Sequence, residues 1–182
     1  MLIWFFVIAG VIFVDQLSKW LIVTYLPDAG VDLIPEVFRF TYVENRGAAF
    51  GILADQRWVF IVVSTLALAA MAFYMFKFKP EGWLVRCSLA FIIGGGIGNM
   101  IDRVLLGYVI DFLDFCAFPG LWKWVFNVAD AFVCVGAGML ILYLILETVK
   151  EVKAEKAKKE LGEETAESKE KENEKSETDG NS

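Results

Sequence analysis

The segment WLVRCSLAFIIGGGIGNMIDRVLL, residues 83–106, is apolar over most of its length and ends in an amide, a carboxylate and a guanidinium. A helix needs about 20 predominantly apolar residues to cross the hydrocarbon core of a bilayer, and this segment is long enough. Gly94 and Gly98 have the four-residue spacing that lets two helices approach closely in lipid. The segment therefore predicts a membrane-spanning helix whose polar end faces other helices.

Three further apolar segments have a similar length. They run from about Leu2 to Leu26, from Trp58 to Phe76 and from about Phe126 to Leu146. Of the 182 residues, 57% are hydrophobic, which is more than a soluble domain of this size normally contains. The sequence thus predicts an all-α membrane protein in which four transmembrane helices form a bundle.

The connection between the first two spans, from Pro27 to about Arg57, mixes charged and apolar residues. Within it, residues 37–43 (VFRFTYV) are β-branched or aromatic apart from one arginine, which is typical of a strand. This pattern predicts a small extracytoplasmic β platform between spans one and two. The connection between spans three and four, from Gly107 to Val125, is predicted to be looped and rich in aromatic residues.

Basic residues indicate how the bundle is oriented. Lys77, Lys79 and Arg86 flank the connection between spans two and three, and Lys150 and Lys153 follow span four. Because Lys and Arg are enriched in cytoplasmic loops, both groups are expected on the cytoplasmic side. Four spans then place both termini in the cytoplasm and the other two connections outside.

The chain changes character near Glu147, where apolar residues give way to Glu, Lys, Ala and Ser. We predict a four-span membrane domain, residues 1–148, that carries the function, and a charged cytosolic tail, residues 149–182, that is disordered. A helical extension from about Thr148 to Leu161, supported by spaced Glu and Lys side chains, is the alternative.

The sequence contains zero histidines, so it has neither an HExxH metal site nor a Ser-His-Asp triad. The three cysteines, Cys87, Cys116 and Cys134, form no CxxC pair and are expected to pack rather than react. Carboxylates are therefore the leading candidates for chemistry, and we expect no metal and no cofactor.

Two groups of polar residues are expected to meet at one membrane depth. Asn99, Asp102 and Arg103 share a face near the end of the third span, and Asn127 and Asp130 lie three residues apart in the first turn of the fourth. Ionisable side chains at membrane depth usually face a bundle interior and serve a site. These residues are therefore candidates for function.

Asp111 and Asp114 lie on the short connection between these two groups, so carboxylates gather near one end of the bundle. Two carboxylates within hydrogen-bonding reach share one proton, because the second ionisation is opposed by the first charge and by burial. One then acts as a base toward water, and the other acts as an acid toward a carbonyl oxygen and a leaving nitrogen. The spacing leaves open which carboxylate pairs with Asp130.

Other interpretations of these residues stay open at this point. The carboxylates could form structural ion pairs with Arg46, Arg103 and Lys19, as Asp15 could with Lys19 four residues along one helix. They could instead line a proton or ion pathway in a transporter. The chain could also be a membrane scaffold whose charged tail recruits cytosolic partners. Residue chemistry alone does not separate hydrolysis from ion transfer.

Five motifs occur in an order that resembles the bacterial lipoprotein signal peptidases. They are DQLSK at 15–19, NRGAAFG at 45–51, GNMIDR at 98–103, VIDF at 109–112 and FNVAD at 126–130. The resemblance covers about Met1 to Leu146, and five motifs in one order are far more specific than any one alone. The charged tail is longer than such enzymes usually carry.

The resemblance implies an aspartyl endopeptidase of the bacterial inner membrane with its site near the outer leaflet. It would remove signal peptides from diacylglyceryl-modified prolipoproteins by cutting on the N-terminal side of the lipidated cysteine, and globomycin-type peptides would inhibit it. The implied partners are these precursors and membrane lipids, without nucleic acid. We expect a monomer that works without a cofactor.

In that family the aspartates of the VIDF and FNVAD motifs form the catalytic pair, which implies Asp111 and Asp130 here. Asp102 then takes a supporting role, paired with Arg103. The resemblance further implies a set of side chains that shape or polarise the site: Asp15, Lys19, Asn45, Arg46, Asn99, Asp102, Arg103 and Asn127.

Overall fold

Four helices dominate the computed structural model, in which the described residues are 1–47, 57–117 and 124–179. The helices are α1 (Leu2–Tyr25), α2 (Arg57–Phe73), α3 (Trp83–Leu105) and α4 (Val128–Asp179). One π-helical turn, Tyr74–Phe78, extends α2.

Each helix contains a segment that is long and apolar enough to cross a membrane. These segments are Leu2–Tyr25, Trp58–Phe78, Trp83–Leu105 and Val128–Lys159. Many of their apolar side chains are exposed, with exposed fractions of 64% for Phe13 and 66% for Leu66. A helix that is apolar on its exposed surface is suited to lipid rather than water. The prediction of four helices that are long and apolar enough to span a membrane is confirmed.

Two of the connections between helices supply the strands of a four-stranded antiparallel sheet, whose strand order is β1-β2-β3-β4. Its strands are β1 (Val31–Ile34), β2 (Phe38–Asn45), β3 (Val109–Phe115) and β4 (Val125–Phe126). A small sheet was predicted, but only β1 and β2 come from the connection after α1. Strands β3 and β4 come from the connection after α3, where a loop was predicted. That prediction was wrong because β3 forms by pairing with β2, which is distant in sequence.

Helix α3 packs closely against α1 through glycines. A Cβ added to Gly94 would lie 2.8 Å from Val11 Cβ, and one added to Gly98 would lie 2.5 Å from Asp15 Oδ2. Side chains do not tolerate such distances, so glycine at these two positions sets how closely the helices approach. The predicted role of Gly94 and Gly98 in close packing is confirmed.

Gly98→Ala is expected to lower the free energy of unfolding by about 1–3 kcal/mol, because the added methyl group would displace the buried Asp15 carboxylate. Gly138→Ala on α4 is the matched control, since nothing lies within 4 Å of its added Cβ. Thermal unfolding of both variants in the same detergent checks this expectation. A Gly98→Ala variant as stable as the parent would show that α1 can shift against α3 at no cost.

The chain divides into two compact units, Met1–Leu140 and Ile141–Ser182. The backbone of α4 is helical to Asp179, which includes the helical extension that the spaced Glu and Lys residues allow. The division after residue 148 and the disorder of the tail stay predictions. All residues of the candidate site belong to the first unit.

Candidate active site

Strand β3 and the start of α4 bring two aspartates to one cavity. Asp111 lies within β3, opposite Val43 of β2, and is only 2% exposed. Asp130 lies in the first turn of α4. The cavity has a volume of about 220 Å³, and its lining includes Asp111, Asp130, Asn45, Asn99, Arg103 and Trp124. Asp111 is thus the carboxylate that shares a cavity with Asp130.

The way α4 begins fixes the orientation of Asp130. Asn127 Oδ1 accepts a hydrogen bond from the Asp130 backbone N–H at 2.9 Å, and Asp130 Oδ2 accepts one from the Asn127 backbone N–H at 3.2 Å. This reciprocal pair is a capping box, which satisfies N–H groups that a helix start leaves without partners. The same carboxylate that caps the helix therefore faces the cavity.

Asn127 also connects the two aspartates. Its Nδ2 donates to Asp111 Oδ1 at 2.7 Å and to Asn99 Oδ1 at 2.9 Å. Asn99 Nδ2 in turn donates to Asp130 Oδ1 at 2.8 Å. Because Asn127 is fully buried, water does not compete for the groups that form these hydrogen bonds. The amides of Asn99 and Asn127 therefore hold both carboxylates in place.

The second oxygen of Asp111 is held by the first connection of the chain. Asn45, at the end of β2, donates from Nδ2 to Asp111 Oδ2 at 2.8 Å. Asn45 Oδ1 accepts a hydrogen bond from the Gly47 backbone N–H at 3.1 Å, which fixes the direction of the amide. The rest of this predicted motif, residues 48–51, lies outside the described residues.

The pKa of Asp111 is raised to about 6, chiefly because burial disfavours the charged form. Hydrogen bonds from Asn45 and Asn127 and the positive charge of Lys19 act in the opposite direction, whereas repulsion by Asp130 adds to the rise. Asp111 therefore retains a proton at a pH where an ordinary aspartate has lost it.

A buried ion cluster lies next to these amides. Lys19 Nζ is 2.9 Å from Asp15 Oδ2, 2.8 Å from Asp102 Oδ2 and 3.0 Å from Asn99 Oδ1. Asp102 was predicted to pair with Arg103, and that prediction was wrong, because its partner is Lys19. Asp102 and Arg103 are adjacent on α3, so their side chains point in different directions.

The two predicted arginines occupy different surroundings. Arg103 lines the cavity, and its guanidinium carbon lies 5.6 Å from the centre of the Phe60 ring. Arg46 does not belong to the described lining of the cavity. Its Nη2 donates to Glu44 Oε2 at 2.8 Å, and its guanidinium carbon lies 5.5 Å from the centre of the Tyr108 ring. Its two neighbours in the chain, Asn45 and Gly47, do line the cavity.

A further predicted residue lies outside the cavity, and three residues that were not predicted lie in or next to the site. The sequence left Asp114 as a possible partner of Asp130. Asp114 lies on β3, opposite Arg39 of β2, and is not part of the described lining of the cavity. Gln16 contacts the ion cluster, and Val133 and Cys134 line the cavity, although none of them was predicted as a site residue. Only the position of Gln16 in the DQLSK motif could have indicated it.

The described residues contain no group of three or more Cys, Asp or Glu side chains placed to hold a metal ion. The arrangement instead offers a protonatable carboxylate, a second carboxylate at a helix start, and amide donors that orient both. Such a pair suits acid and base chemistry on an amide bond.

Comparison with known proteins agrees with this chemistry. Residues 7–146 match the family described as Signal peptidase (SPase) II. The lipoprotein signal peptidase of Caldanaerobacter subterraneus subsp. tengcongensis is 47% identical over 141 residues, which cover 77% of this chain and 93% of the relative. The lipoprotein signal peptidase of Clostridioides difficile is 41% identical over 145 residues, covering 79% of this chain and 95% of the relative.

A solved structure of a membrane enzyme has a similar fold. A bacterial membrane enzyme determined by the in meso method at 2.3 Å resolution superposes with a TM-score of 0.74 and is 28% identical. The superposition covers 81% of this chain and 90% of the other. Both the length of the match and the fold therefore support one assignment. The chain belongs to the signal peptidase II family and is a membrane aspartic peptidase that removes signal peptides.

Proposed function

We propose that the chain cleaves diacylglyceryl-modified prolipoproteins on the N-terminal side of the lipidated cysteine, with Asp111 and Asp130 as its catalytic pair. The observation that carries the proposal is the shared cavity, in which both carboxylates are oriented by Asn99 and Asn127. The relatives are named lipoprotein signal peptidases, which supports a prolipoprotein as the substrate.

The two aspartates have environments that favour different roles. Asp130 lies at a helix start, where the positive end of the helix dipole favours a negative charge. Asp111 has a pKa raised to about 6, so it is the better holder of the shared proton. We therefore assign the base to Asp130 and the acid to Asp111, within a pair that shares one proton.

Cleavage then proceeds in two steps. Asp130 takes a proton from water while the water oxygen bonds to the scissile carbonyl carbon and Asp111 gives its proton to the carbonyl oxygen. In the second step the C–N bond breaks, the leaving nitrogen takes the proton from Asp130, and Asp111 regains a proton from one hydroxyl of the intermediate. The pair ends in its starting state, with one carboxyl and one carboxylate.

The proposed location is the outer leaflet of the bacterial inner membrane. Asp130 lies in the first turn of the span Val128–Lys159, and Asn99 and Arg103 lie in the last turns of the span Trp83–Leu105. The cavity is thus near one end of these spans, whereas the basic residue Arg86 lies in the first turn of the span Trp83–Leu105, at its opposite end. In the proposed orientation both termini are in the cytoplasm and the sheet is outside. We further propose that the enzyme is a monomer and that globomycin-type peptides inhibit it.

A diacylglyceryl group would hold the substrate in the bilayer, with its cysteine at the depth of the cavity. Binding energy from this remote group would then position the scissile bond, which can contribute a large part of a rate enhancement. Arg46 contacts Glu44 and Tyr108 and lies in the chain between Asn45 and Gly47, which line the cavity. We propose that Arg46 contacts the polar part of the precursor there.

The purified chain in lipid is expected to cleave a lipidated precursor about 100-fold faster than the same precursor whose acceptor cysteine is serine. The serine precursor carries no diacylglyceryl group, and the peptide around its scissile bond is otherwise the same. Mass spectrometry of the products also gives the cleavage position. Equal rates for the two precursors would contradict the proposed substrate, and ion flux across sealed vesicles without cleavage would favour the transporter.

A further inference from the structure

The buried carboxylates Asp15 and Asp102 contact the backbone directly beside the catalytic pair. Asp15 Oδ1 accepts a hydrogen bond from the Ala129 N–H at 2.9 Å, and Asp102 Oδ2 accepts one from the Ile110 N–H at 3.1 Å. Ala129 immediately precedes one catalytic aspartate, and Ile110 immediately precedes the other. The residue before each proposed catalytic aspartate therefore donates a backbone hydrogen bond to one buried carboxylate.

Two side chains of α1 bridge these carboxylates. Lys19 Nζ lies within 2.9 Å of Asp15 Oδ2 and 2.8 Å of Asp102 Oδ2. Gln16 Nε2 lies 3.2 Å from Asp15 Oδ2, 2.9 Å from Asp102 Oδ1 and 3.2 Å from the Gly98 carbonyl oxygen. We call Asp15, Gln16, Lys19 and Asp102 the buried bracket. It links the residue before Asp111 to the residue before Asp130.

The charges within the buried bracket explain why a neutral donor is needed. One ammonium group faces two carboxylates, and the exposed fractions are 0% for Asp15, 2% for Lys19 and 3% for Asp102. Two carboxylates so close to one cation repel each other, and burial weakens solvent screening. The Gln16 amide donates to both without adding charge. Its contact with the Gly98 carbonyl also ties the bracket to α3.

We propose that Gln16 is a positioning residue, which together with Lys19 sets the separation of the two catalytic aspartates. Gln16 holds one oxygen of Asp102, so that the other oxygen stays directed at Lys19 and the Ile110 N–H. Without the amide, Asp102 can rotate and β3 can shift relative to α4. The proposal rests on the proposed function, because it assumes that Asp111 and Asp130 are the pair being positioned.

Gln16→Met is the variant that tests the proposal, since methionine keeps the length of the side chain and lacks the amide. We expect kcat to fall about tenfold while KM stays within about twofold, because a shifted pair slows chemistry without changing how the precursor binds. Ser18→Ala is the matched control. Ser18 lies in the same turn and hydrogen-bonds only within α1 among the described contacts, at 2.7 Å from the Asp15 carbonyl oxygen.

A loss of kcat in Gln16→Met with an unchanged unfolding temperature would support positioning. An unchanged kcat, or a raised KM with the parental kcat, would overturn it. If Gln16→Met does not fold, Gln16→Asn replaces it, because its amide is one methylene too short to reach both carboxylates, and the same outcomes apply. Asp111→Asn is assayed in parallel. If that variant still cleaves, the proposed function fails and the positioning role falls with it, whereas an inactive Asp111→Asn beside a fully active Gln16→Met rejects the positioning role alone.

Discussion

Asp111→Asn and Asp130→Asn are each expected to reduce cleavage of a lipidated precursor by about 10³-fold or more. In the proposed mechanism each change removes the acid or the base, and general acid and base groups typically contribute on the order of 10²–10⁴-fold each. Asparagine keeps the shape of the side chain and an oxygen that can accept from Asn127 or Asn99. The fold should therefore persist, and the measurement is the initial rate of precursor cleavage per amount of folded protein.

Asp114→Asn is the control for these two variants. Asp114 lies on the same strand as Asp111, opposite Arg39, and outside the described lining of the cavity. The Asp114→Asn variant should cleave the precursor at a rate within about twofold of the parent's, since Asp114 has no role in the proposed mechanism. Full activity in either Asp111→Asn or Asp130→Asn would reject the catalytic pair. A comparable loss in Asp114→Asn would indicate that removing any negative charge near the sheet lowers the rate, so that the effect is not specific to Asp111 and Asp130.

Lys19→Met is expected to lower the free energy of unfolding by about 3–5 kcal/mol, because it leaves two buried carboxylates without their cation. Lys19 is 2% exposed and pairs with both Asp15 and Asp102, so water cannot replace the lost charge. Thermal unfolding in detergent, together with the yield of folded protein, measures the effect. Lys150→Met removes an ion pair with Glu147 that is exposed, and it should leave the unfolding temperature unchanged.

A double variant separates charge from packing at this position. Lys19→Met combined with Asp102→Asn removes one of the two unpaired carboxylates, so part of the lost stability should return. A double variant no more stable than Lys19→Met would mean that the lysine stem, rather than its charge, stabilises the bundle. If Lys19→Met alone were as stable as the parent, the ion pairs of Lys19 with Asp15 and Asp102 would not stabilise the fold.

The sequence predicted the spans and one half of the site because both depend on local spacing. Apolar length identifies a membrane helix without knowledge of its neighbours. The helical period likewise places Asn99 near the end of α3, and the three-residue separation of Asn127 and Asp130 places both at the start of α4. The structure finds these residues together, as the spacing predicted.

The rest depends on contacts between residues far apart in the chain. Strand β3 exists because β2 pairs with it, and the Asn45 to Asp111 hydrogen bond joins residues separated by 66 positions. Lys19 was recognised as a partner of Asp15, four residues away, but its contact with Asp102 crosses from α1 to α3. A periodic pattern within one segment carries no information about such contacts.

The sheet has a consequence for how the protein is made, since each half of the chain supplies two of its four strands. During synthesis, Asp15 and Lys19 can neutralise each other as soon as α1 enters the bilayer, whereas Asp102 arrives two helices later. Asn45 likewise waits for Asp111, and Asp130 is the last of these groups to be inserted. With the proposed catalytic pair, a nascent chain therefore lacks one of its two aspartates until the final span is made, and a ribosome that stalls earlier would leave a membrane fragment without that pair.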